Sequence, residues 1–191
     1  MPKLKDEQKL AAIQNAALKL VIRTGFSGLK MADVAKEAGI GTGTMYVYYG
    51  DKEQLIEDVY LITKKEIAAV LFDPAHLSDT FQETFKRMWL AYFGFCLQQP
   101  EKMLFVEQFL YSGLISESLI DETEAMFMPL DNLLIQAQEQ GLIKNVSVEI
   151  AKAFIQGAIH EVVKVITKKE YRLIQGELEK CFEMAWGSIK I

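Results

Sequence analysis

Apolar residues recur every three to four positions along almost the whole of this 191-residue chain, and nowhere is there a sustained two-residue alternation. A period of 3.6 places one side chain per turn on the same face of a helix, whereas a strand needs a period of two. The breaks agree. Six of the twelve glycines lie between Gly25 and Gly50, and the four prolines (Pro2, Pro74, Pro100, Pro129) fall at or near the ends of periodic runs. The pattern predicts an all-α protein of about nine helices, with a head of short helices and a body of longer ones. A chain of this length buries roughly 70% of the surface it exposes when unfolded, so it needs no disulfide or metal to hold it together.

The first helix is expected to open at Asp6, a good N-cap, to bury Leu10, Ile13, Ala17, Leu20 and Val21, and to end at Gly25. A second begins near Lys30, turns Met31, Val34, Ala35 and Ala38 inward, and stops at Gly39, where glycine closes a helix in the left-handed conformation. A third runs from about Thr42 to Tyr48. Gly50 ends it, and Asp51 opens a fourth with Gln54 three residues on, a capping-box pattern, continuing to about Phe72. Five longer helices are expected near 77–98, 100–111, 116–140, 147–168 and 170–189, with a kink or break at Pro129.

Charge divides the chain as well. The formal net charge of -5 argues, taken alone, against nucleic acid. Residues 1–52 nevertheless hold eight Lys/Arg against five Asp/Glu, and residues 53–191 hold thirteen against twenty-one, so the split is +3 and -8. A basic end on an acidic body points to an N-terminal nucleic-acid contact. The chain has neither a signal-peptide pattern nor an apolar run of membrane length, so a cytoplasmic protein with no membrane contact is expected. Cys96 and Cys181 each lie within a helical apolar pattern and read as buried, reduced thiols. No motif calls for a cofactor or a metal.

Two short helices joined by a glycine turn near a basic end are the ingredients of a helix-turn-helix. In Met31-Ala32-Asp33-Val34-Ala35-Lys36-Glu37-Ala38-Gly39-Ile40, Ala35 is small where the helices cross, Gly39 makes the turn and Ile40 fills the shared core. The stretch from Gly25 to Ile56 then carries Val34-Ala35, Ala38-Gly39, Gly43, Tyr46, Tyr48, Tyr49, Lys52, Glu53 and Leu55 in order. Ahead of it lies Ile13-Gln14-Asn15-Ala16-Ala17-Leu18-Lys19-Leu20. Over about residues 8–56 the chain resembles the DNA-binding domain of the TetR family of transcriptional regulators.

The resemblance implies a DNA-binding head at 1–52 and an effector-binding and dimerisation domain at 53–191. It implies that Lys30, Thr42, Gly43, Thr44, Tyr46, Val47, Tyr48 and Lys52 face double-stranded DNA. Tyr46, Tyr48 and Lys52 suit phosphates, which fix orientation without reading sequence. Thr42, Thr44 and Val47 suit base edges and thymine methyls, and Gly43 permits close approach. Met45 and Tyr49 are assigned to the domain core, and core filling is the competing role for the other tyrosines. Lys30 replaces a frequent Thr, supplying charge but not the cap. Gly41 and Thr42 replace a frequent Ser and Lys, so no Arg-to-guanine contact is expected from this helix. Lys3, Lys5 and Lys9 would add phosphate contacts.

For the body, the resemblance implies a pocket whose lining the family does not share. Ten of the twenty aromatics fall between Phe81 and Phe127. Met88, Trp89, Tyr92, Phe93, Phe105, Phe109, Tyr111, Met126, Phe127 and His160 are the candidates to hold a small hydrophobic or aromatic effector, with core packing the competing role for each. Phe154, Ile155, Ala158, Val162, Leu178, Phe182 and Trp186 on the last two helices are the candidate interface of a homodimer, whose two heads would read a palindromic operator. The expected function is a repressor released by its effector. An enzyme finds no nucleophile triad, phosphate loop or metal motif to support it. A helical adaptor without DNA binding is the third reading, motivated by the missing basic residues at 41 and 42.

Overall fold

A computed structural model describes residues 2–168 and 171–191, with the side chains of residues 2–5 outside that description. Nine α-helices and one short 3-10 turn account for the regular structure among the described residues. They are α1 (Pro2–Gly28), α2 (Met31–Glu37), α3 (Thr42–Tyr48), α4 (Lys52–Leu71), the turn Pro74–His76, α5 (Phe81–Gln98), α6 (Pro100–Leu110), α7 (Glu117–Glu139), α8 (Val148–Lys168) and α9 (Glu177–Ile189). The only extended pairing among them is a single bridge between Ile143 and Lys190.

The chain folds as two compact units: the first comprises residues 1–64 together with 101–121, and the second 65–100 with 122–191. In the first unit, α2 packs against α1 and α3, around Ile13, Ala17, Leu20, Val21, Val34, Ala35, Met45, Leu55 and Ile56, all buried. Gly39 turns the chain between α2 and α3 at φ +69°, where its N–H reaches the Lys36 carbonyl and the Ile40 N–H reaches that of Ala35 at 2.9 Å. A side chain there would strain the backbone rather than clash, since a Cβ at Gly39 would meet nothing within 4 Å. Gly39→Ala is therefore expected to cost about 1 kcal/mol, read as a lowered urea midpoint with an unchanged m-value.

A second layer of this unit is aromatic. Phe26, at the end of α1, lies 5.5 Å from both Phe105 and Phe109 of α6, and Tyr60 of α4 lies 4.8 Å from Phe109. Offset and edge arrangements at these separations suit the ring quadrupoles. Residues from the middle of the sequence thus complete the core of its N-terminal end.

In the second unit, α5 packs against α8 and α9, which also pack together. Phe85 and Trp89 of α5 meet Phe182 and Trp186 of α9 at centroid separations of 5.7 to 6.2 Å. The chain end is held by the Ile189 carbonyl, which accepts from the Lys144 N–H at 2.7 Å. Cys96 is buried and Cys181 half-buried, both free; burial pushes the Cys96 thiol up to about 12 and keeps it unreactive.

Two sequence expectations need correction. Helix α1 opens at Pro2, ahead of Asp6, while Gly25 breaks it as expected at φ 71°, with a short helical stretch on to Gly28. Helix α7 continues through Pro129, so of the expected kink or break the break is absent; Pro129 and Ala125, whose carbonyl the proline leaves without its helical partner, are both exposed, open to solvent. The last helix begins at Glu177, not 170. The Glu177 carboxylate accepts the Ile174 N–H at 2.8 Å and the Tyr171 hydroxyl, fixing a capped turn ahead of the helix. Leu173 and Ile174 therefore lie outside it, despite their helical spacing.

Candidate nucleic-acid interface

The candidate recognition element is α3, seven residues between Gly41 and Tyr49. Met45 faces inward and is fully buried, while Val47 is 82% exposed and Tyr46 55%. Thr42 and Gly43 are exposed, and Thr44 and Tyr48 half-buried. A helix of this length has one buried face, and the remaining residues face water because no other element covers them. The six candidates on α3 thus share one short helix, with Thr42, Gly43, Tyr46 and Val47 exposed and Thr44 and Tyr48 partly shielded. Lys30 is exposed at the N-cap of α2 and makes no side-chain cap bond there, which leaves its ammonium free of any capping role. Lys3 and Lys5 have side chains outside the described residues; Lys9 is exposed.

Lys52 is the first residue of α4 and lies 3.9 Å from Glu53, a half-exposed pair worth little. The unsatisfied N–H groups expected beside it are partly occupied. Asp51 accepts the Gln54 N–H at 2.8 Å, and the Gln54 side chain accepts that of Gly50 at 2.9 Å. Any anion at this end is therefore drawn by the Lys52 side chain more than by the backbone.

Two further contacts fix α3, and neither was expected from sequence. The Tyr49 hydroxyl, at the end of α3, donates to Asp58 of α4, and the Gln14 amide of α1 donates to Tyr49 at 3.2 Å and to Asp58 at 3.1 Å. Burial, and then the Asp58 bond, hold the Tyr49 hydroxyl well above its ordinary value. The Tyr48 hydroxyl donates to Asp6 Oδ1 at 2.9 Å, which raises its pKa. One signal for Asp58 was present: it is a carboxylate on the apolar stripe of α4, three residues after Leu55 and one before Val59. Asp6 gives no such signal, because its partner is 42 residues away.

Comparisons with known proteins agree with this geometry. Residues 13–59 match the bacterial regulatory proteins of the tetR family, and residues 80–190 match a tetracyclin repressor-like C-terminal domain. The second match alone spans more than half the chain. The chain belongs to the TetR family. A TetR-family transcription regulator from Marinobacter aquaeolei is 26% identical, with a TM-score of 0.91 over 98% of each chain. An HTH-type transcriptional regulator from Haemophilus influenzae is 28% identical over 51% of this chain and 52% of its own length, so the chain spans about half of that curated relative. The regulator FadR of Bacillus subtilis, solved in complex with stearoyl-CoA, is 20% identical with a TM-score of 0.71 over 92% of this chain and 96% of its own, a likeness of fold alone. TetR-family members regulate transcription and are not enzymes. No described helix is long and apolar enough to cross a membrane.

In this TetR-family chain the candidate effector residues do not form one group. Met88, Trp89, Tyr92, Phe93 and His160 are buried in the second unit, with Met126 and Phe127 half-buried. The Tyr92 hydroxyl and His160 Nε2 are 2.9 Å apart. The indole N–H of Trp89 is buried with no hydrogen-bond partner, which is a cost unless something supplies an acceptor. Phe105 and Phe109 lie in the first unit, and their rings pack against Phe26 and Tyr60. Tyr111 is 87% exposed, on the turn after α6.

The candidate dimer residues also divide. On α8, Phe154 is 65% exposed, Ala158 is exposed, and Ile155 and Val162 are half-buried. Ile150, Phe154, Ala158 and Val165 share one side of that helix by spacing and form an exposed, mostly apolar strip with the exposed Glu161 among them. Leu178 and Trp186 on α9 are half-buried. The Phe182 ring is buried against Phe85 and Trp89.

Proposed function

We propose that this TetR-family regulator is a repressor that binds a palindromic operator as a homodimer and is released by an apolar or aromatic small molecule. The observation that carries the reading is the outward face of α3. Val47 and Tyr46 are the kind of side chain a folded head buries when it can, and here both point to solvent from the element that enters the major groove. Val47 with Thr42 offers methyl and hydroxyl contacts to base edges, and Lys30 and Lys52 supply charge for the backbone. The exposed strip on α8 is what a second copy would cover, with Phe154 as its largest side chain. The buried Trp89 N–H beside aromatic neighbours supports an effector that brings a hydrogen-bond acceptor. A regulator of the same fold, FadR of Bacillus subtilis, was solved in complex with stearoyl-CoA, a ligand with a long apolar acyl chain.

A fluorescent duplex taken from upstream of the protein's own gene tests this. Wild type is expected to bind with two chains per duplex and with an affinity that falls steeply with salt. The double variant Tyr46→Phe/Lys52→Ala should bind about tenfold more weakly, with a salt slope shallower by about one counterion. Equal affinity and slope for the two proteins would remove Tyr46 and Lys52 from the backbone contact. A flat salt response in the wild type would favour the adaptor reading instead.

A further inference from the structure

We propose that Asp6 sets the DNA affinity of this protein by competing with the operator backbone for the Tyr48 hydroxyl. The inference rests on the phosphate-donor role given to Tyr48 above and adds a residue that opposes it.

A phenol carries one proton and donates it to one acceptor at a time. In the DNA-free chain that acceptor is the Asp6 carboxylate, 2.9 Å from the hydroxyl. The bond is charge-assisted and so of the stronger kind. It joins the start of α1 to the end of α3 and is exposed to solvent, so it is open to exchange. A phosphate oxygen approaching α3 is the same type of acceptor, an anion seeking an O–H. It cannot use Tyr48 while Asp6 holds it, and two anions gathered on one hydroxyl repel each other. Binding therefore exchanges one anionic acceptor for another, and the hydroxyl contributes little net affinity while Asp6 is present. The neighbouring tyrosine shows the contrasting arrangement. Tyr49 is buried and shared between Asp58 and Gln14, so its hydroxyl is committed to the fold and out of reach of DNA. Two adjacent tyrosines thus donate to two aspartates, one fixed and one exchangeable.

The test is a double-mutant cycle on the labelled upstream duplex and on a random-sequence duplex of equal length, since phosphate contacts serve both. Asp6→Ala is expected to tighten binding to both duplexes about tenfold, the scale of one charge-assisted hydrogen bond. In the Tyr48→Phe background the same change should tighten binding by less than about threefold, the part due to charge alone. Asp6→Asn keeps an acceptor but removes the charge, and should fall between wild type and Asp6→Ala. It also serves as the second variant should the alanine protein fold poorly, which a thermal melt of each protein reports.

The outcomes separate the two layers of the argument. If Tyr48→Phe costs affinity in the Asp6→Ala background but Asp6→Ala alone does not tighten binding, Tyr48 does meet phosphate and the competition is wrong. Equal tightening in both backgrounds reduces Asp6 to its charge and overturns the proposal. Weaker binding by Asp6→Ala makes Asp6 a support for Tyr48 and overturns it too. If Tyr48→Phe costs nothing in the Asp6→Ala background, the phosphate role of Tyr48 itself is wrong.

Discussion

Phe109→Ala should lower the stability of this protein by about 3–5 kcal/mol, the range for removing a fully buried phenyl ring. Phe109 is completely enclosed and touches three rings at once, with Phe105 6.1 Å away in a stacked pair besides Phe26 and Tyr60. The loss combines the transfer energy of the ring with a cavity that three large neighbours cannot close. Against a usual total of about 5–15 kcal/mol, that is enough to unfold a large fraction of the chain at elevated temperature. Tyr111→Ala, two positions away, provides the contrast. Its side chain stands in solvent, and the change should stay within about 0.5 kcal/mol. Urea titrations of the two variants are the check, and similar midpoints would mean that the aromatic layer is not the anchor described. Phe109→Leu should recover most of the loss, since it restores volume.

Tyr49→Phe is expected to cost about 1–3 kcal/mol, because the Asp58 carboxylate loses its strongest donor in a half-buried place and retains the Gln14 amide. The same change should alter the response to alkali. Folding raises the Tyr49 pKa above its ordinary value of 10.0, through burial first and the Asp58 bond second. The folded state therefore holds its proton where the unfolded state loses it. Its contribution to stability is complete below pH 10 and is lost as pH rises toward the higher folded value. Above pH 10 the wild type should lose about 1.4 kcal/mol per pH unit through this group. The gap between wild type and Tyr49→Phe must therefore narrow between pH 10 and 11. Urea midpoints at pH 8, 10 and 11 measure it, and a gap that stays constant would show that the hydroxyl is not held as described. DNA affinity at pH 8 should also fall, since Tyr49 ties the end of α3 to α1 and α4.

What was legible in the sequence follows the range of the interactions. Helix α3 was read to its observed ends because glycines bracket it, and Met45 and Tyr49, assigned inward with the family resemblance, are buried. The start of the last helix was not legible. The Leu173-Ile174 spacing satisfies helical periodicity, and the turn is set instead by one carboxylate, Glu177, folding back. At Pro129 the helix runs on without a break, because the Ala125 carbonyl left without its helical partner is at an exposed position and open to solvent. The aromatic set of the body looked uniform because composition does not record partners. Phe105 and Phe109 resemble Phe85 and Trp89 in every local respect and differ only in meeting Phe26, some eighty residues earlier. Asp6 and Tyr48 lay beyond local reading for the same reason.

That long-range aromatic layer bears on how such a regulator can be taken apart. A helix-turn-helix is usually treated as a cassette, moved between proteins by cutting after its last helix. Here a cut after residue 64 would strip Phe105 and Phe109 from Phe26 and Tyr60 and leave an oily face on the excised piece. The transferable part is discontinuous, residues 1–64 with 101–121, and cannot be moved as one stretch of gene. Recombination that swaps DNA specificity among relatives is then confined to point changes on α3, and the outward residues Thr42, Tyr46 and Val47 are where such changes are tolerated without disturbing the aromatic layer.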